Sequence, residues 1–188
     1  KLLGLIKQIV IANYYGMTAD TDAFMLISGT INDIGIAIFS ALSIVFLADF
    51  IKKKKTTTNV NLFASNVLAF FSLVLLFVVL LIEIFAPQVV KLIAPGFSQE
   101  TAALSTRFVI ILAPMLMVLC IRTILTAILD SEKHFWYGKS LGAFQSVVLI
   151  VLTVLFYKTG IYILVIGLVV AYLLEVVIGL IFVLRKNY

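Results

Sequence analysis

Residues 3–24 read LGLIKQIVIANYYGMTADTDAF, and this stretch sets the pattern for the whole chain. An apolar run that carries Lys7 ends at Gly16, and the acidic residues Asp20 and Asp22 precede the next apolar run. The rest of the sequence repeats this order of apolar run, short polar break and apolar run. Because charges at the two ends of a hydrophobic segment are costly to place near lipid, we expect Lys7 and Asp22 to have functional roles.

The composition is that of an integral membrane protein. Of the 188 residues, 63% are hydrophobic and only 12% are charged, which leaves too few polar side chains to cover a surface facing water. Most apolar runs hold about 20 residues or more, enough for a helix to cross a hydrocarbon core of roughly 30 Å. The runs lack the two-residue alternation of a membrane β-barrel. We therefore expect an all-α, polytopic membrane protein.

The polar breaks divide the chain into six predicted transmembrane helices, which form a single lobe over residues 1–188. Basic residues gather in alternate loops, with Lys52–Lys55, Lys133, Lys139, Arg185 and Lys186 on one side. By the positive-inside rule, this predicts that both ends of the lobe are cytoplasmic. Pro114 falls in the middle of the fourth span and predicts a kink. The approximate spans are residues 2–17, 22–50, 61–85, 101–129, 135–157 and 161–184.

The side chains suited to catalysis or metal binding are few. The sequence has no Gly-rich phosphate loop, no paired ligand spacing and no Ser/His/Asp arrangement. Its single cysteine, Cys120, lies in an apolar run, and its single histidine, His134, lies in a loop. We therefore expect no enzyme, no cofactor and no metal, with a coupling proton or monovalent cation left open. Since the net charge of +5 is explained by topology, we expect no nucleic-acid partner.

Polar and ionisable residues within the spans are the candidates for function, because each ionisable one costs roughly 2.5–3.5 kcal/mol to insert. Lys7 either reaches a cavity or extends to the headgroups. Asp22 is placed to cap the second helix, which does not exclude contact with a substrate. We expect Asp33 to face a polar cavity, and Arg122 and Glu175 either to do the same or to form an ion pair between helices. The candidate substrate-binding residues are Lys7, Asp22, Asn32, Asp33, Arg122 and Glu175.

Four short motifs follow one another along the chain: LGLIK at residues 3–7, TDAF at 21–24, APGF at 94–97, and a hairpin from Ile128 to Phe135. Together they resemble the N-terminal half of the MviN/MurJ family of lipid II flippases, within the MOP superfamily. The resemblance implies that this chain is the first six-helix lobe of a longer two-lobe transporter in the bacterial inner membrane. It also places Lys7 at the family's cavity-lining basic position and Asp22 at the acid of TDAF.

The resemblance implies a flippase that moves a polyprenyl-diphosphate-linked oligosaccharide by alternating access, with lipid II or a related envelope precursor as the substrate. Lys7 and Arg122 would attract the diphosphate. The acidic candidates would hydrogen-bond sugar or take up a proton or cation; they are Asp22, Asp33 and Glu175.

Three alternatives stay open. The segment after TDAF keeps Asn32 but has no basic residue near Gly35, so the glycan can differ from lipid II. A cation-coupled drug antiporter of the same superfamily would have a cavity dominated by carboxylates. A non-transporting membrane scaffold would pair its intramembrane charges with one another.

Overall fold

The chain folds as a bundle of α-helices. The computed structural model describes residues 2–56 and 60–185, and these residues are mostly helical and contain no strand. A short 3-10 turn, Tyr157–Thr159, joins the last two helices. The helices are α1 Leu2–Tyr15, α2 Ala19–Thr56, α3 Val60–Ile84, α4 Ala86–Ile93, α5 Gln99–Leu112, α6 Met115–Ser131, α7 Trp136–Phe156 and α8 Tyr162–Leu184.

Helices of membrane-spanning length account for most of the described chain. Five segments are long and apolar enough to cross a bilayer, and α1, with 14 residues, is a shorter apolar helix. They follow the six predicted spans in order, which confirms the all-α, multi-pass fold. The cytoplasmic placement of both ends stays a prediction, and Lys186, one of the charges that support it, lies outside the described residues. The five long segments are Ala19–Thr56, Val60–Ile84, Gln99–Ser131, Trp136–Thr159 and Tyr162–Leu184.

Helix α2 extends beyond both predicted limits of the second span. It has 38 residues, so its length of about 57 Å exceeds the thickness of the hydrocarbon core. Thr18 rather than Asp22 caps its start, since the Thr18 hydroxyl accepts a hydrogen bond of 3.3 Å from the amide of Thr21. The helix continues past the predicted span end near Phe50, through the four lysines to Thr56, because lysine is a good helix former and suits the negative end of the helix dipole.

The fourth predicted span is broken at Pro114, as the sequence predicted. Helix α5 ends at Leu112 and α6 starts at Met115. Across the break, the amides of Leu116 and Met117 bond to carbonyls three residues back, at 3.1 Å each. These tighter turns restart the backbone hydrogen bonding after the proline, which has no amide hydrogen to donate to the carbonyl of Ile110.

The centre of the bundle is formed by α5, α6 and α8. In the most apolar window of Gln99–Ser131, 56% of residues are buried, against 11% for Val60–Ile84, so α3 is a peripheral helix. Helix α6 packs against α2, α3 and α8, and α7 packs against α1 and α8. At Gly35, a Cβ would lie 2.6 Å from Leu119 Cδ1, so the glycine allows α2 to approach α6 closely.

Candidate functional site

A polar cleft of about 250 Å³ lies among α1, α2, α7 and α8. It exists because α1 packs mainly on α7, whereas α2 packs mainly on α5 and α6. Two helices that are adjacent in sequence therefore stand apart and flank the opening. The lining residues are Lys7, Gln8, Ile11, Phe24, Met25, Ser28, Gly29, Asn32, Gln145, Leu149, Leu168 and Tyr172.

Among the described residues, helix α1 brings the only charged side chain to this lining. Lys7 is partly buried, and among residues 2–56 and 60–185 no side chain forms a hydrogen bond or ion pair with it. Two contacts hold the far end of α1 against the turn between α7 and α8. The Tyr15 hydroxyl donates to the carbonyl of Gly160 at 3.3 Å, and the ring centroids of Tyr14 and Tyr157 are 4.8 Å apart.

Helix α2 contributes one continuous face to the cleft. Three of its lining residues, Ser28, Gly29 and Asn32, follow Met25 by three, four and seven positions. This is the spacing of neighbours along one side of a helix. Gly29 has no atom within 4 Å of a would-be Cβ, so it leaves open space beside the polar groups. The face therefore brings a hydroxyl and an amide to the cleft that Lys7 also lines.

Helix α8 closes the cleft with Tyr172, which is only 2% exposed. The Tyr172 hydroxyl donates a hydrogen bond of 2.6 Å to Asn32 Oδ1, linking α8 to α2. On its other side, the Arg122 guanidinium lies 5.1 Å from the centroid of the Tyr172 ring, within cation–π range. Tyr172 therefore connects the cleft to the interior of the bundle.

A buried ion pair lies behind Tyr172. Arg122 Nη1 is 3.3 Å from Glu175 Oε2, and the side chains are 23% and 1% exposed, respectively. Neither carboxylate oxygen of Glu175 has a hydrogen bond to another described residue, so the attraction to Arg122 is electrostatic rather than a well-aligned hydrogen bond. The backbone carbonyl of Glu175 accepts a hydrogen bond of 2.8 Å from the Tyr137 hydroxyl.

The six predicted site residues fall into three groups. Lys7 and Asn32 line the cleft, and Arg122 and Glu175 form the ion pair beside it. Asp22 and Asp33 are exposed and do not line the cleft, and Asp33 lies 3.5 Å from the Asn32 amide nitrogen. No ion pair joins Lys7 to Asp22 in the part of the chain that the structure describes.

Several cleft residues were missed from the sequence because they are uncharged. Four of them carry polar groups inside apolar spans: Gln8, Ser28, Gln145 and Tyr172. A neutral polar group costs less to insert into a membrane than an ionisable one, so these residues give a weaker signal in the sequence. The helical spacing of Ser28 and Asn32 would have found part of this face. Among the described residues, no group of three or more His, Cys, Asp or Glu residues is placed to hold a metal ion.

Comparison with known proteins gives a consistent family. The family model described as "Lipid II flippase MurJ" matches residues 11–188. A probable lipid II flippase MurJ from Buchnera aphidicola is 31% identical over 79% of this chain and 29% of its own length. One from Rickettsia prowazekii is 31% identical over 83% of this chain and 31% of its own. The chain thus spans about three-tenths of the length of these relatives.

A solved structure has the same fold. The lipid II flippase MurJ in an inward closed conformation superposes with a TM-score of 0.84 at 25% sequence identity, over 95% of this chain and 39% of that one. The predicted inner-membrane location agrees with this relationship. Since the family model covers nearly the whole sequence and the helices superpose throughout, the chain belongs to the MurJ family of lipid II flippases.

Proposed function

We propose that this chain is the N-terminal lobe of a bacterial inner-membrane flippase that moves a polyprenyl-diphosphate-linked oligosaccharide, such as lipid II, by alternating access. A second lobe of the same protein would complete the transport path. Family membership supports the reaction, and the partial coverage of the relatives and of the solved structure supports the two-lobe arrangement.

The observation that carries the proposal is the environment of Lys7. Of the described residues that line the cleft, Lys7 alone is charged, and the other polar groups there are neutral amides and hydroxyls. A cation without a charged partner inside a membrane-spanning bundle is costly and therefore favours an anionic ligand. Hydrogen bonds between an ammonium group and a phosphate are stronger than those between neutral groups, so a diphosphate suits this position.

The size of the cleft limits which part of the substrate it would hold. Its volume of about 250 Å³ is below the roughly 300–1,000 Å³ of typical ligand pockets. The cleft would therefore take the charged diphosphate linkage, while the sugars and the lipid tail extend beyond it. Gln8, Ser28 and Gln145 would supply further hydrogen bonds.

The remaining predicted residues have other roles in this proposal. Asp22 and Asp33 are exposed, so they would contact sugar or the second lobe rather than the diphosphate in this cleft. Arg122 is compensated by Glu175 and would act on the substrate only if that pair separates. Glu175 is the buried carboxylate available for a coupling proton or monovalent cation.

The two alternative functions fit the cleft less well. A drug antiporter that takes cations would need carboxylates in the lining, which here contains none. A scaffold would pair its intramembrane charges, as Arg122 and Glu175 do, but Lys7 has no such partner among the described residues.

Complementation by the full-length protein tests the proposal. In a strain depleted of its own lipid II flippase, we expect the unmodified protein and Lys7→Arg to restore growth, and Lys7→Ala to fail at normal protein levels. Lys91→Ala is the matched control, because Lys91 is exposed on α4 away from the cleft. Asp22→Ala and Asp33→Asn test the exposed acids in the same strain.

The outcomes test the identity of the substrate and the assignment of the cleft independently. If the unmodified protein does not restore growth but restores capsule or O-antigen export, the glycan is not lipid II. If Lys7→Ala behaves like wild type in every export assay, the assignment of the cleft is wrong.

A further inference from the structure

The hydrogen bond between Tyr172 and Asn32 joins two helices at the edge of the cleft. Tyr172 is 2% exposed, and its hydroxyl donates to Asn32 Oδ1 at 2.6 Å. Such a short bond in a setting shielded from water is strong, and it restricts the rotation of the amide. Asn32 is thus held in one orientation by a residue from another helix.

The direction of this hydrogen bond follows from the chemistry of the two groups. The atom of Asn32 in contact with Tyr172 is the amide oxygen Oδ1, which can only accept, so the Tyr172 hydroxyl is the donor. The Arg122 guanidinium, 5.1 Å from the centroid of the Tyr172 ring, can only donate and does not compete for the hydroxyl proton.

This direction decides what Asn32 presents to the cleft. Its oxygen is occupied by Tyr172, which leaves Nδ2 with two hydrogen atoms. One of them has Asp33 Oδ1 as a neighbour at 3.5 Å. The second remains as a donor in the cleft that Lys7 also lines, so both residues offer donors to a ligand.

We propose that Tyr172 is a positioning residue for recognition of the substrate diphosphate, holding the Asn32 amide so that its N–H, together with Lys7, meets phosphate oxygens. The inference rests on the proposed function and extends it to the way in which the cleft distinguishes phosphate from sugar hydroxyls. A phosphate oxygen can only accept, whereas a sugar hydroxyl can donate or accept, so a fixed donor favours phosphate. Without the tyrosine hydroxyl, the amide could turn its oxygen towards the anion.

Binding to the purified full-length protein tests this role. The probes are farnesyl diphosphate and farnesol, which share a lipid chain and differ in the charged group. We expect wild type to prefer the diphosphate, and Tyr172→Phe to weaken diphosphate binding by roughly fivefold, since one neutral hydrogen bond is lost. Farnesol binding should not change. Tyr137→Phe is the matched control, because that hydroxyl bonds to the Glu175 carbonyl and does not line the cleft.

A double-mutant cycle separates positioning from a general structural effect. If Tyr172 acts through Asn32, then Tyr172→Phe should cause no further loss of diphosphate binding in an Asn32→Ala background. The inference would be overturned if Tyr172→Phe weakened diphosphate binding equally in both backgrounds, or if it did not weaken binding in the wild-type background. Either result would leave the proposed function intact. If wild type binds farnesol as tightly as farnesyl diphosphate, anion recognition by the cleft fails, and the proposed function fails with it.

Discussion

Arg122 on α6 and Glu175 on α8 form an ion pair inside the bundle, with Arg122 Nη1 3.3 Å from Glu175 Oε2. The carboxylate side chain is 1% exposed, so its charge depends on Arg122 for compensation. Placing the two charges in the interior costs free energy that their attraction offsets only in part. The pair therefore makes the contact between α6 and α8 sensitive to the loss of either member.

Replacing Arg122 alone should destabilise the full-length protein strongly. Arg122→Met leaves the Glu175 carboxylate buried and uncompensated, and we expect a loss of about 3–5 kcal/mol. The loss would be measured as a lower unfolding temperature of the purified protein in detergent.

The double variant Arg122→Met with Glu175→Leu is the control for this effect. Since it removes both charges and keeps apolar volume, its stability should recover most of the loss. Additive destabilisation in the double variant would show that the two side chains do not depend on each other.

Gly179 on α8 should tolerate no side chain. A Cβ there would lie 2.4 Å from the Tyr137 hydroxyl oxygen and 2.9 Å from Tyr137 Cζ. We expect Gly179→Ala to lower stability by about 1–3 kcal/mol, because the tyrosine must leave its position and its bond to Glu175. Thermal unfolding of the full-length variant measures the change.

Gly142→Ala is the matched control for Gly179, since a Cβ at Gly142 has no neighbour within 4 Å. It should leave stability unchanged or raise it slightly, as alanine is the better helix former. Equal stabilities for the two alanine variants would mean that α7 and α8 are not packed as described.

Cysteine labelling tests the predicted topology. In a full-length background with Cys120 replaced by serine, Lys55→Cys should react with a membrane-impermeant maleimide only from the cytoplasm. Gln99→Cys should react only from the opposite side. Both residues are exposed at helix ends, and their sides follow from the charge distribution. Labelling of both residues from the same side would contradict the topology.

Most of the fold could be predicted from the sequence, because apolar length and loop charge are local properties. The break at Pro114 was also predictable, because a proline has no amide hydrogen for the helical hydrogen bonds. The end of α2 was not, because lysines continue a helix as readily as they mark a loop. The lysines mark where the helix is expected to leave the membrane, which differs from where the helix itself ends.

The candidate site was only partly predictable, because it depends on which helices stand next to each other. Lys7 and Asn32 were identified from the cost of polar groups in lipid. Tyr172 was not, since a tyrosine in an apolar span is common in a helix core. Its importance comes from contacts with Asn32 and Arg122, which lie on two other helices. Contacts of this kind cannot be read from the spacing of residues within one helix.

The most direct test of the central claim is the rate at which the reconstituted full-length protein flips lipid II in proteoliposomes when the charge of Lys7 is changed. Lys7→Gln keeps a polar side chain but loses the ammonium group, so we expect a loss of roughly tenfold or more, whereas Lys7→Arg should remain close to wild type. If Lys7→Gln flips lipid II at the wild-type rate, the cleft does not recognise the diphosphate through Lys7, and the account is contradicted.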